Sequence, residues 1–178
     1  MNKSDIILIE EAYNSILLNS KLASLTVKQL EVVAEGSTQK RFYHGSMVEL
    51  PVGTVLKPNV NYEENWSNTD FYSVLEHYRP KDMLSHKDSV FMCDNDEDVD
   101  LAGGGTEYLF VVEPLGKIEK HDVNWSSEIS MLISDGLEID NPKVISAATN
   151  YWNGTPHYNE QVWEYLTPFA KIISVEEY

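Results

Sequence analysis

Thr106-Glu107-Tyr108-Leu109-Phe110-Val111-Val112 is the stretch that decides the fold class. Every residue in it but Glu107 is β-branched, aromatic or leucine, the composition that fits a pleated, largely buried strand. Glycines at 103–105 precede it, and Glu113-Pro114-Leu115-Gly116 follows it with turn-forming residues. Upstream, Arg41-Phe42-Tyr43-His44 reads as a strand. Thr54-Val55-Leu56 reads as another after a turn at Pro51 and Gly53, and Ser89 to Met92 as a short buried one. Phe71 to Tyr78 predicts a turn or two of helix, stopped by Pro80. Downstream, Gln161 to Leu166 and Lys171 to Val175 predict the last two strands. Short strands with intermittent helices and no regular βαβ spacing predict an α+β fold.

Toward the N-terminus the period changes. Ile6, Ile9, Tyr13, Ile16 and Leu17 recur at three- and four-residue steps, with Ser4 or Asp5 as a cap. A second helix is predicted from Thr26 to about Glu35, ended by Gly36. The polar segment from Gly36 to Arg41 reads as a linker. The expected organisation is an N-terminal helical extension over 1–38 and a main domain over 39–178.

Composition then narrows the function. The 178 residues carry 29 acids against 13 Lys and Arg, a net charge of −16 that opposes binding to a phosphate backbone. Arg41 and Arg79 are the only arginines, so no nucleic-acid partner is expected. Cys93 is the only cysteine, which excludes an intrachain disulfide and a cysteine-rich zinc site. The apolar run Ile6 to Ile9 is too short for a signal-peptide core, and no stretch approaches the roughly 18 residues of a membrane span. A soluble, cytoplasmic protein without a membrane partner is expected.

The chemistry-bearing residues sort quickly. Read as a calcium loop from Asp94, the acidic run Asp94 to Asp100 would need Gly at position six and Glu at position twelve. It has Val99 and Gly105, so a helix start or a solvated loop is expected. The glycine run leads into a strand rather than a helix, which favours a turn over a phosphate cradle. Cys93 is expected to be a small buried residue. The histidines at 44, 77, 86, 121 and 157 offer no metal-ligand spacing, and no metal is expected. His44 stands apart, because it ends a strand, follows two aromatics and precedes Gly45 and Ser46. A glycine there lets a ligand approach the backbone, and a histidine beside it offers a donor or acceptor.

Phe42-Tyr43-His44-Gly45-Ser46, followed by Leu50-Pro51-Val52-Gly53-Thr54-Val55-Leu56, resembles the opening block of the rifamycin ADP-ribosyltransferases. Tyr108 to Gly116 is similar to that family's Y-I-Y-I-V-E-P-T-G strand, and Phe169 to Tyr178 to its closing strand. The blocks occur in the family's order over roughly 41–178. The resemblance implies an ADP-ribosyltransferase-like small split β-sheet core and NAD as co-substrate. It also implies transfer of ADP-ribose to a protein or to a small molecule such as a rifamycin.

Carried over residue by residue, the resemblance gives His44 a ribose hydroxyl and Gly45 the nicotinamide carboxamide, with Tyr43 and Ser46 beside them. Phe91 falls where the family has the tyrosine that stacks on nicotinamide, keeping the ring face and losing the phenol. Three acids compete to steady the sugar. Glu160 ranks first, because Tyr158-Asn159-Glu160-Gln161-Val162 resembles the Y-N-E-Y-I block of the poly(ADP-ribose) polymerases. Glu164 is second, by its distance from Pro168, and Asp122 third. Departures from the family are the long interval between His44 and Phe91, with a lid or target-binding face expected around Tyr72, Tyr78 and Pro80, and the N-terminal helices. Both point to an acceptor other than rifamycin, such as a protein side chain.

Overall fold

The computed structural model describes residues 40–67, 69–102, 104–158 and 160–176. The predicted helical extension over 1–38 lies outside the described residues. Among these the fold is α+β, with seven strands in one antiparallel sheet and four α-helices. The strands are β1 (Phe42–Ser46), β2 (Val55–Leu56), β3 (Val90–Cys93), β4 (Tyr108–Leu115), β5 (Glu119–Asp122), β6 (Trp163–Thr167) and β7 (Phe169–Glu176). The helices are α1 (Tyr62–Trp66), α2 (Asp70–Tyr78), α3 (Asn124–Ser134) and α4 (Pro142–Trp152).

The sheet order is β2-β7-β4-β1-β3-β6-β5. β4 sits between β1 and β7, as its unbroken run of buried residues from Leu109 to Val112 requires. β1 and β3 share only the pair Tyr43↔Cys93, so one residue pair joins a four-stranded and a three-stranded half. That seam positions the site.

Among the described residues there are two large apolar cores and a small third cluster of Cys93, Val99 and Leu109. Phe42, Leu56, Val90, Met92, Phe110, Tyr165 and Ile172 form the one on the sheet. The other gathers α2, α3 and α4 through Leu75, Trp125, Ile129, Val144, Tyr151 and Trp152. In α4 the buried positions Val144, Ala147, Ala148, Tyr151 and Trp152 follow the helical three-and-four spacing. Asn141 caps that helix by accepting from the Lys143 amide at 3.0 Å, and Pro142 occupies its first turn.

Every strand predicted from the sequence is present within three residues at each end, and the predicted helix over 71–78 is α2. In the segment expected to form a lid or a target-binding face, Tyr72 is buried in α2, and the Tyr78 hydroxyl donates to the Ile139 carbonyl at 3.1 Å. The acidic run becomes a single 3₁₀ turn, Asp96–Asp98, with the Asn95 side chain accepting from the Glu97 amide. No described helix is long and apolar enough to cross a membrane.

Candidate active site

The site begins where β1 leaves β3. Two residues beyond Tyr43↔Cys93, a continued ladder would set Gly45 opposite Phe91. Instead the His44 ring reaches across, and its Nδ1–H donates to the Phe91 carbonyl at 2.8 Å. Strand backbone groups alternate sides with period two, so Gly45 turns its amide and carbonyl toward the same edge of β1 as Tyr43 does. Burial lowers the His44 pKa from its ordinary 6.5, outweighing the opposing pull of the Phe91 hydrogen bond. The ring is therefore neutral near pH 7, with Nε2 left as an acceptor.

Gly45 has a second reason to be glycine. A Cβ there would stand 2.2 Å from the Gly105 carbonyl oxygen and 2.5 Å from Val99 Cγ1. A Cβ on Gly105 would in turn stand 2.5 Å from the Met47 amide nitrogen. The glycines at 104 and 105 let the acidic loop close backbone-to-backbone on the end of β1. Ser46 finishes the strand with a local turn, its Oγ accepting from the Val48 amide at 3.0 Å.

The seam opens into a cleft of about 760 Å³, within the size range of small-molecule sites. Tyr43, His44, Gly45, Ser46, Phe91 and Glu164 all line it. Lys57 is the one lysine or arginine among the lining residues. Ser126, Ser127 and Ser130 of α3 add hydroxyls on another wall. The face of Phe91 is covered by Tyr62 of α1, whose ring stacks at 5.1 Å with 12° between planes. Cys93 also borders the cleft, but burial first, and then the nearby Glu164 carboxyl, push its thiol pKa well up, so it is no nucleophile at neutral pH.

The three candidate acids have different fates. Glu164 is buried on β6, directly across from Cys93 in the ladder, and accepts a hydrogen bond from the Tyr151 hydroxyl at 2.6 Å. Burial raises its pKa above the ordinary 4.5, with Asp122 adding to the rise, while His86 and the Tyr151 hydrogen bond pull it back. Asp122 is buried away from the cleft, its carboxylate taken by backbone amides of residues 124, 157 and 162. Glu160 is exposed and contributes its carbonyl, at 2.8 Å from Asn124 Nδ2, rather than its carboxylate. Of the three, only Glu164 shares the cleft with His44 and Phe91.

Tyr62, Glu76, His86 and Tyr151 complete the polar and aromatic surroundings, and no local motif announces them. His86 Nε2 lies 2.8 Å from the Tyr151 hydroxyl, and His86 Nδ1 lies 2.6 Å from Glu76 Oε1. Among the described residues, no group of three or more His, Cys, Asp or Glu side chains is gathered so as to hold a metal ion. Compared with known proteins, the chain matches no family model and no curated protein.

Proposed function

We propose that this chain is a NAD-dependent mono-ADP-ribosyltransferase, which cleaves the nicotinamide–ribose bond and passes ADP-ribose to a protein or small-molecule acceptor. The observation that carries the reading is the meeting of His44, Gly45, Phe91 and Glu164 around one cleft at the parting of an antiparallel sheet. An ADP-ribosyltransferase-like split sheet would part in this way. These four residues come from three strands and are up to 120 positions apart (164 − 44), yet they converge on one cavity.

Each group has a chemical task. The neutral His44 ring accepts a ribose hydroxyl at Nε2, since Nδ1 is committed to Phe91. The Gly45 amide and carbonyl match the complementary donor and acceptor of a carboxamide. Phe91 offers a ring face for the pyridinium. Breaking the glycosidic bond puts positive charge on the sugar, and Glu164, ionised in a cleft with little water, opposes it. Lys57 supplies a cation for the diphosphate. Glu164 therefore takes the role for which the sequence ranked Glu160 first.

Tyr62 favours a second reading. Its ring holds the face of Phe91 that a nicotinamide would need, so NAD must displace it. A domain in which it is never displaced would be a binding module without turnover.

Two measurements separate the readings. Saturating NAD should raise the melting temperature, because a ligand that binds only the folded state stabilises it. Nicotinamide should then be released slowly, and Glu164→Gln should lower that rate about 100-fold. A thermal shift without release assigns the module. The absence of both shift and release would remove the transferase reading.

A further inference from the structure

A line of hydrogen-bonded side chains runs from the cleft toward the surface, through residues the reaction as described does not use. Tyr151 Oη donates to Glu164 Oε1 at 2.6 Å and lies 2.8 Å from His86 Nε2. His86 Nδ1 lies 2.6 Å from Glu76 Oε1, which also accepts the His86 backbone amide at 3.0 Å. Arg79 Nε donates to the other Glu76 oxygen at 3.0 Å. The chain spans β6, α4, the turn before β3, and α2. Its inner end is buried and its outer end, at Glu76 and Arg79, is partly exposed.

Counting protons along this line restricts its states. Burial alone would raise the Glu76 pKa, but the side-chain and backbone hydrogen bonds of His86, its charge, and Arg79 together bring it from 4.5 to about 2. Glu76 is thus a carboxylate and His86 Nδ1 carries a proton. Two hydrogens must fill the remaining gaps, Nε2 to Oη and Oη to Oε1. Tyr151 supplies one, since burial, and then Glu164, keep its phenol protonated. The other sits either on His86 Nε2, leaving Glu164 a carboxylate, or on Glu164, leaving His86 neutral. The two arrangements hold the same number of protons and the same total charge.

We propose that His86 and Tyr151 are positioning residues that set the charge of Glu164 by passing one proton between His86 and Glu164 through the tyrosine hydroxyl. The inference deepens the transferase reading and rests on it for the reaction, though the relay has a signature that needs no turnover. Taking a lone carboxylate into a desolvated cleft is unfavourable. Here the shared proton rests on His86, so the carboxylate is matched by an imidazolium before positive charge develops on the ribose. The bond from ribose to nicotinamide breaks with its electron pair on the ring nitrogen, so nicotinamide leaves neutral. The acceptor's oxygen or nitrogen bonds to the anomeric carbon and gives its proton to Glu164. One proton then passes to solvent, which completes the balance.

The other titratable groups around the line do not interrupt it. Tyr62, Tyr72 and Cys93 are kept protonated, by burial before any other cause. His121 stacks on Tyr151 at 4.6 Å, and burial, which lowers its pKa, keeps it neutral near pH 7. Its neighbour Glu119 is held by the Leu84 amide and Lys117. Asp122 has its oxygens on backbone amides.

The test is the ¹⁵N spectrum of the His86 ring at neutral pH in the full chain, in wild type, Glu164→Gln and Tyr151→Phe. Nδ1 should be protonated in all three. Nε2 should move to the bare-nitrogen position in Glu164→Gln, where the new amide donates to the tyrosine oxygen and turns its hydroxyl toward the histidine. Tyr151→Phe should also change Nε2, and should lower kcat for nicotinamide release about 100-fold with KM for NAD within about twofold. Identical His86 shifts in three folded proteins would overturn the relay, as would wild-type kcat in Tyr151→Phe. If wild type releases no nicotinamide, the transferase reading falls, and the nitrogen shifts alone decide whether the relay exists.

Discussion

Two buried carboxylates lie on neighbouring strands, Asp122 on β5 and Glu164 on β6, and they have opposite surroundings. Asp122 Oδ1 accepts from the Asn124 amide at 3.1 Å, from Asn124 Nδ2 at 3.0 Å and from the Val162 amide at 3.4 Å. Its Oδ2 accepts from the His157 amide at 2.8 Å. Four donors from three segments leave it nothing to offer a ligand. Among the described residues, Glu164 receives only the Tyr151 hydroxyl and otherwise borders the cleft. Burial therefore does not mark a reactive acid. The number of donors already committed does, because a saturated carboxylate holds backbone together while an undersupplied one remains available to a positive charge.

The sharpest way to break this comparison is to truncate Asp122. Asp122→Ala leaves three backbone amides without their acceptor at the start of α3 and ahead of β6. It should cost about 4 kcal/mol of folding stability, read from urea midpoints. Glu164→Gln, which removes no backbone bond, should stay within about 1 kcal/mol of wild type. Equal losses in the two variants would show that donor count does not separate the acids.

Next in size is a pH effect at the outer end of the relay. Glu76 titrates at about 2 when folded, against an ordinary 4.5, despite the opposing effect of burial. As pH falls, the unfolded chain takes up this proton first. The stabilisation is full well above 4.5 and disappears as pH drops through about 2. At neutral pH it is worth about 3 kcal/mol. The gap in urea midpoint between wild type and Glu76→Gln should thus narrow steadily below pH 4.5. A gap that stays constant down to pH 3 would detach Glu76 from His86.

The same contrast explains what the sequence made legible. Strands β3, β4 and β7 bury aliphatic and aromatic residues, so their composition announces them. β5 does not, because its inward residues are Glu119, His121 and Asp122. They are satisfied by specific partners such as the Leu84 amide on Glu119, and a hydropathy pattern cannot show partners. α4 is a different case: Asn141, Pro142 and the spacing from Val144 to Trp152 are a complete helix signal, but one lying between the segments that resemble a family. In the site, His44, Phe91 and Glu164 were reachable through local motifs. Glu76, His86 and Tyr151 were not, since consecutive members of their relay are 10, 65 and 13 positions apart. Tyr62 was hidden similarly, on a five-residue helix with no buried residue.

The smallest effect falls on the acid whose local sequence looked most persuasive. Glu160 stands in a block that resembles a catalytic one, yet its side chain is exposed and outside the cleft. Its structural contribution is the backbone carbonyl that accepts Asn124 Nδ2, which any residue at this position supplies. Glu160→Ala should change stability by less than about 0.5 kcal/mol, as surface substitutions commonly do. It should leave nicotinamide release within about twofold of wild type. Measuring both in parallel with Glu164→Gln turns the comparison into a choice between two carboxylates four residues apart. Loss of release in Glu160→Ala with release retained in Glu164→Gln would reverse the assignment made from the cleft.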